Sequence, residues 1–336
     1  GYIDFHVLAL LFSLMLVVAG LQKSGAFSLL TDKLLAFVHS KRALAAVLVG
    51  VCFFTSMLST NDVALITFVP LSIMLLGQKE NEKDLMLVVV LQTIAANLGS
   101  GLTPLGNPQN LYLYSLSGMS IGEFLSVMLL PTLLSGVMLT AVILTIRSEK
   151  IDRPVRGAER EAISAKGFVP WLILFGVCLL SVLHVLHYVM MFAIVTVSVI
   201  LLDRSLLKKA DYGLLLTFIG FFVFIGNVKN ISEVSQVLST LVAGRELTVG
   251  GILSQVISNV PAAMLLSGFT TNFADLLLGV NLGGLGTLIA SMASMISYKI
   301  YAAAPGAKAG KYFALFTGLN VAFLVVLFSL MLIITR

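Results

Sequence analysis

Asn97-Leu98-Gly99-Ser100-Gly101-Leu102-Thr103-Pro104-Leu105-Gly106-Asn107-Pro108-Gln109-Asn110 interrupts an otherwise apolar chain. An apolar half-helix over residues 85–96 runs directly into it, and residues 121–146 are long enough to cross a bilayer beyond it. Three glycines and two prolines within this stretch remove helix propensity and amide donors. Unpaired backbone at membrane depth is tolerated only against protein or a wet cavity. The stretch therefore reads as a membrane helix broken near the bilayer midplane.

The composition agrees. Of 336 residues, 58% are hydrophobic and 11% are charged, against roughly 25% charged in a soluble domain; the mean hydropathy is +1.04. Apolar runs recur from end to end, so a soluble fold and a separate soluble domain are excluded. The net charge of +5 resides in short loops between spans, which assigns it to topology and not to nucleic acid. Cys52 and Cys178 fall inside apolar runs, where cysteine behaves as a small hydrophobe, so neither a disulfide nor a metal site is expected. His184 and His187 lack further ligands and read as interfacial.

Outward from the break, residues 5–21 read as a span and residues 24–37 as an amphipathic interfacial helix. Two short apolar arms, 43–58 and 63–76, flank Ser59-Thr60-Asn61-Asp62. Each is short for a crossing, and a four-residue tip is a poor exterior loop, so they read as a re-entrant hairpin. After a polar cytoplasmic linker at 148–167, spans are expected at 168–186, 188–202 and 212–228, with a second interfacial segment at 231–243. Arms 247–257 and 262–269 flank Ser258-Asn259-Val260-Pro261, Asn281-Leu282-Gly283-Gly284-Leu285-Gly286-Thr287 repeats the break, and 312–334 closes the chain.

Placing Asn97 over Asn281 also aligns Leu98 with Leu282, Gly99 with Gly283 and Thr103 with Thr287, and the order of elements matches. The predicted fold is an all-α polytopic membrane protein of two inverted-topology repeats, the signature of a secondary transporter. The first repeat spans 1–147, with a scaffold at 5–37 and a transport part at 43–146. The second spans 168–336, with a scaffold at 168–243 and a transport part at 247–334. With both hairpins re-entrant, seventeen basic residues, among them Lys23, Lys41, Arg42, Lys79, Arg147, Arg153, Arg204 and Lys308, fall on one face. Lys229, Arg245 and Arg336 fall opposite, and Lys299 lies within a helix. That bias makes the rich face cytoplasmic. Because spans 168–202 have no counterpart before residue 5, two helices upstream of Gly1 are expected.

Opposed hairpin tips meeting two broken helices bring polar side chains, free amides and free carbonyls together; helix N-termini favour anions and exposed carbonyls a cation. Candidate substrate ligands are Ser59, Thr60, Asn61, Thr103, Asn107, Ser258, Asn259, Thr287 and Ser291. Candidate coupling-ion ligands are Asp62, Asn97, Gly99, Ser100, Asn281 and Gly283. The competing role for each is to cap a helix end or bridge two helices. Asp62 is the one acid that this threading places deep in the membrane; it either binds or relays a proton or Na⁺, or caps the amides of the tip.

Ser59-Thr60-Asn61-Asp62-Val63-Ala64-Leu65, the run 102–110 and Ser258-Asn259-Val260-Pro261-Ala262-Ala263 together resemble the citrate-transporter-like branch of the ion transporter superfamily, over essentially the whole chain. That group includes arsenite permeases, citrate/metal symporters, divalent-anion/sodium symporters and some sodium/proton antiporters. The resemblance implies a homodimer in which hairpins and broken helices form a moving elevator-type transport domain against a static scaffold. Dicarboxylate symporters carry Ser-Asn-Thr at each tip; here the Thr is displaced in one tip and absent from the other, which leans toward arsenite-permease-like members. The expectation is therefore a transporter of a small anion in the inner membrane, coupled to H⁺ or Na⁺, with no cofactor other than a coupling Na⁺. A sodium/proton antiporter is the alternative. An enzyme is not expected, since no span supplies a nucleophile–base pair or a metal set.

Overall fold

A computed structural model describes residues 2–77, 82–150 and 165–334, and among these residues helices alone form extended elements. The first repeat comprises α1 (Phe5–Lys23), α2 (Ala26–Leu35), α3 (Lys41–Ser56), α4 (Asn61–Leu76), α5 (Glu82–Ser100), α6 (Pro108–Ser117) and α7 (Ile121–Leu144). Two helices, α8 (Ala165–Val182) and α9 (Tyr188–Asp203), follow. The second repeat then runs α10 (Tyr212–Val228), α11 (Ser232–Val242), α12 (Glu246–Ile257), α13 (Asn259–Ser267), α14 (Phe273–Leu282), α15 (Met292–Ala302) and α16 (Ala309–Ile334). Both repeats thus contain seven helices in the same order.

The helices α1, α7 and α16, and α9 with the 3-10 turn that extends it to Lys209, are long and apolar enough to cross a membrane. α11 turns 106° away from α10 and leaves Val234, Val237 and Leu241 exposed. The chain is an all-α, multi-pass membrane protein.

Inversion of the repeats is visible in the equivalent helices α1 and α10. The Tyr2 ring lies where a side chain on Gly226 would project, and the Asn230 amide donates to Tyr2 Oη at 2.9 Å. At the other end Lys23 pairs with Asp203 at 2.5 Å and shares a cavity with Lys209 and Asp211. The start of α1 therefore meets the end of α10, so the two run antiparallel. The hairpins follow suit. The α3–α4 hairpin opens where Arg42 donates to Ile146 O at 2.8 Å and Lys41 pairs with Glu149 at 2.5 Å, and that hydrogen bond holds the exposed Glu149 carboxyl below its ordinary range. The α12–α13 hairpin opens at the opposite end, beside Lys229. Lys23, Lys41, Arg42, Arg147, Arg204, Lys209 and Lys308 gather at the first end, whereas Lys229 and Arg245 lie at the second. Lys79, Arg153, Arg156, Arg160 and Arg336, with most of the linker, lie outside the described residues.

Between membrane helices association relies on close packing and not on hydrophobicity, and two glycines supply it at equivalent places. A Cβ on Gly99 would stand 2.3 Å from Phe53 O and 2.7 Å from Ser56 Oγ, while one on Gly283 would stand 2.8 Å from Ser254 Cβ and 2.9 Å from Gly251 Cα. Phe53 and Gly251 each precede their tip asparagine by eight residues, and Ser56 and Ser254 by five. Each broken helix thus sits tight against the first arm of its own hairpin. Gly99→Val is expected to lower thermal stability in detergent by about 1–3 kcal/mol or more, because the obstructing atom is backbone; a melting curve like that of the unsubstituted protein would contradict this close approach.

Candidate functional site

The first break begins later than the sequence suggests. Asn97, Leu98 and Gly99 continue α5 to Ser100, since the absence of a side chain on Gly99 lets this turn stay helical against α3. The non-helical stretch, a run of turns and bends, extends from Gly101 to Asn107, whose side chain caps α6 by accepting from Asn110 N at 2.9 Å. The second break separates α14 from α15 and contains a short 3-10 turn, Leu288–Ala290.

Across the breaks the repeats exchange partners. Asn97 Oδ1 accepts from Ser291 Oγ at 2.9 Å and from Asn61 Nδ2 at 3.1 Å, while Asn97 Nδ2 reaches Ser294 Oγ at 3.4 Å. In the equivalent cluster Asn281 Oδ1 accepts from Asn107 Nδ2 at 3.2 Å, and Asn281 Nδ2 donates to Asn110 Oδ1 at 2.7 Å. Ser291 and Asn107 are equivalent residues, each preceding the second half of a broken helix. The asparagine that ends one broken helix is therefore bonded to the residue that restarts the other. Asn61, Asn97, Asn107, Asn281 and Ser291 are all buried.

The first tip joins this network, and the second packs against its own break beside it. Asn61 N donates to Gly106 O at 3.1 Å, and Asn61 Oδ1 accepts from Asp62 N at 3.0 Å. On the second tip Ser258 Oγ reaches Ala290 O at 3.4 Å, and the Asn259 amide stands 2.9 Å from where a Cβ on Gly284 would be. Ser258 holds φ at 76°, a conformation costly for a residue with a side chain and often found at binding sites. The N-termini of α4, α6 and α15 thus meet in one polar cluster, with that of α13 beside it at the second break. Of the four N-cap residues only Asn107 of α6 caps with its side chain; on α4 the Asn61 and Asp62 amides are taken by Gly106 O and Asn61 Oδ1, whereas α13 and α15 keep first-turn amides for a ligand.

Other candidates lie to the side. Ser59 Oγ donates to Thr55 O at 2.9 Å; Ser100 stays with the cluster, its Oγ donating to Asn97 O at 3.0 Å and accepting from Asn107 Nδ2 at 3.3 Å. Thr103 Oγ1 donates to Met57 O, and Thr287, exposed, donates to Gln255 O at 3.1 Å. Met57 and Gln255 each precede their tip asparagine by four residues, so both threonines clasp a break to its hairpin arm. Thr103→Val and Thr287→Val are each expected to reduce stability by about 1 kcal/mol while leaving apparent substrate affinity intact. A selective loss of affinity in either variant would instead bring that hydroxyl into the binding site.

A cavity of 560 Å³ reaches this cluster from the basic end. Lys23, Lys209 and Asp211 line its mouth, and Thr60, Asp62, Asn107 and Met292 its depth. Asp62 Oδ1 is buried without a hydrogen-bond partner. A cavity at the other end shares no lining residue with this one. Between them Tyr112 packs against Phe218 and Phe222 with ring centroids 6.0 and 5.9 Å apart, and Tyr112 Oη meets Ser267 Oγ at 2.8 Å. The polar cluster is open to one end and walled off by aromatic rings from the other.

Asn110, Ser294 and Gln255 were missed as partners by sequence reasoning. Asn110 lies in the first break motif itself, whereas Ser294 has no local signal. Glu246, outside the predicted arm 247–257, is a buried acid, whereas Asp62 is half-buried.

Inverted halves, opposed re-entrant hairpins and two broken helices around a central polar cluster define a membrane transporter. The chain belongs to the citrate transporter family, whose model matches residues 1–278. It is 31% identical over 89% of its length to an uncharacterized transporter of Methanocaldococcus jannaschii, covering 81% of that protein. It is likewise 31% identical over 89% of its length to an inner membrane protein of Escherichia coli, covering 80% of that one. Over 40% of its length it is 32% identical to a silicon efflux transporter of rice, covering 27% of that protein. The family and the archaeal and rice relatives are named as transporters.

Proposed function

We propose that the protein is a secondary transporter of a small anion, a di- or tricarboxylate, arsenite or a similar oxyanion, coupled to H⁺ or Na⁺. The observation that carries this reading is the convergence of the N-termini of α4, α6 and α15 at the depth of a cavity open to one end, with the uncapped start of α13 at the neighbouring break. First-turn amides and the positive ends of helix dipoles suit an anion, and no lysine or arginine is needed at the tips. Citrate is the family's namesake, and silicon is the named cargo of the rice relative.

Alternating access follows from a polar cluster with one open cavity and an aromatic wall opposite: hairpins and broken helices move as an elevator past α1 and α10, with the basic end cytoplasmic in the inner membrane. The working unit is a homodimer within lipid. Asp62, with an unpartnered oxygen at the tip, favours one second reading, a sodium/proton antiporter of the same family. Uptake by proteoliposomes of citrate, succinate, sulfate and arsenite, each with and without imposed H⁺ or Na⁺ gradients, separates the two. Gradient-driven accumulation of one anion is the expected result. Cation exchange with no anion taken up would replace this reading by the antiporter.

A further inference from the structure

The second cavity, of 850 Å³, opens at the end opposite the substrate cavity, between α1, α10 and the α12–α13 hairpin. Glu246, the first residue of α12, lines it and is only 4% exposed. Its Oε1 accepts from Thr270 Oγ1 at 2.8 Å. Its Oε2 is buried and receives no hydrogen bond. Among the described residues the ion pairs are Lys23–Asp203, Lys41–Glu149 and Lys308–Glu82, so no basic side chain stands within 4.0 Å of Glu246. A carboxylate in a first helical turn is favoured by the helix dipole, but a purely structural one has its buried oxygens on donors.

The charged groups around it leave the same vacancy for positive charge. Lys229, at the end of α10, packs over Gly268 on another part of the cavity wall. Asp4, just before α1, lines the same space and caps that helix through His6 N at 2.9 Å. Arg245 adjoins Glu246 in sequence. On α14, Asp275 accepts from Asn272 Nδ2 at 2.8 Å, and Asn272 N donates to Thr270 Oγ1 at 2.9 Å, which ties a further acid to the Glu246–Thr270 pair. Tyr112 contributes a neutral hydroxyl already bonded to Ser267.

We propose that Glu246 binds a monovalent cation, Na⁺ or a proton, reached from the end of the molecule opposite Asp62. The protein then carries two carboxylates with unpartnered oxygens, Asp62 on one cavity and Glu246 on the other, each able to exchange a cation with a different compartment. The coupling consequence rests on the ion-coupled reading above, whereas binding at Glu246 does not.

The test uses the full chain in lipid nanodiscs. Binding of radiolabelled Na⁺ and the infrared C=O band of protonated carboxyl groups are recorded across pH for the unsubstituted protein, Glu246→Gln, Glu246→Asp, Thr270→Val and Asp62→Asn. For a Na⁺ site, Glu246→Gln loses one bound Na⁺ per chain and Glu246→Asp keeps it at lower affinity. For a proton site, Na⁺ binding is unchanged, Glu246→Gln loses one titrating carboxyl component, and Thr270→Val shifts the frequency of that component by removing its hydrogen bond. Asp62→Asn retains the Glu246 signal in either case. Identical Na⁺ binding and identical infrared spectra in Glu246→Gln and the unsubstituted protein overturn the proposal. If uptake by the unsubstituted protein proves independent of any ion gradient, the coupled-transport reading fails on its own, and the binding result at Glu246 stands apart from it.

Discussion

Asn97→Ala is expected to abolish substrate uptake in a protein that still inserts and elutes as the native species. One carboxamide accepts from both Asn61 and Ser291 and reaches Ser294, so its loss detaches the first hairpin tip from the second repeat and leaves two buried donors unpaired. An unpaired buried donor costs about 1–3 kcal/mol, and roughly each 1.4 kcal/mol is tenfold, so uptake falls at least roughly tenfold, and further where both donors stay orphaned. Asn61→Ala and Asn259→Ala, at the two tips, are expected to fall in the same range. The measurement is initial uptake rate per amount of inserted protein, beside size-exclusion elution. Near-unsubstituted uptake by Asn97→Ala and both tip variants would return these residues to helix capping.

The hairpins and breaks were legible because glycine, proline and asparagine density at membrane depth has few alternative meanings. Ser59–Asp62 and Ser258–Pro261 read as tips for that reason; α3 and α12 precede them as expected, but α4 starts at Asn61 and α13 at Asn259, so Asn61-Asp62 and Asn259-Val260-Pro261 already belong to the first turn of each second arm. What pairs with what was not legible. Aligning Asn97 with Asn281 identified equivalent residues correctly but hid the exchange, since each bonds to the start of the other repeat's second half-helix, almost two hundred residues away. The glycines misled in a different way. Gly99 and Gly283 stood out as donors of free backbone, whereas the structure uses them for approach to a hairpin arm. A missing side chain signals both uses equally, and only Phe53 O, 2.3 Å from where a Cβ on Gly99 would stand, reveals the second. Glu246 escaped because an acid at the boundary between loop and apolar arm reads as solvated, whereas the turn at Thr270 and the close approach of α14 at Gly279 pack against the start of α12.

Asp62→Asn is expected to uncouple transport from its driving ion. Asp62 follows the tip asparagine, its amide is tied to Asn61 Oδ1, and its Oδ1 is buried at the depth of the cavity with no partner. A carboxylate serving only as a cap would spend that oxygen on a tip amide, yet α4 has no side-chain cap from its N-cap residue Thr60, and Asp62 leaves the oxygen free. On the proposed reading the free oxygen takes H⁺ or Na⁺ while the substrate is held at the uncapped helix starts nearby. The amide of asparagine keeps the size of the side chain but neither titrates nor carries charge. Apparent substrate affinity should therefore change little, whereas the dependence of rate on pH or Na⁺ should flatten. Exchange between two substrate pools is expected to survive, because it needs movement of the loaded protein alone, while accumulation against a gradient is lost. The comparison is counterflow against gradient-driven uptake in the same proteoliposomes. Accumulation by Asp62→Asn with an unaltered pH and Na⁺ profile would make Asp62 a structural residue and move the coupling ion to the Asn97 and Asn281 clusters.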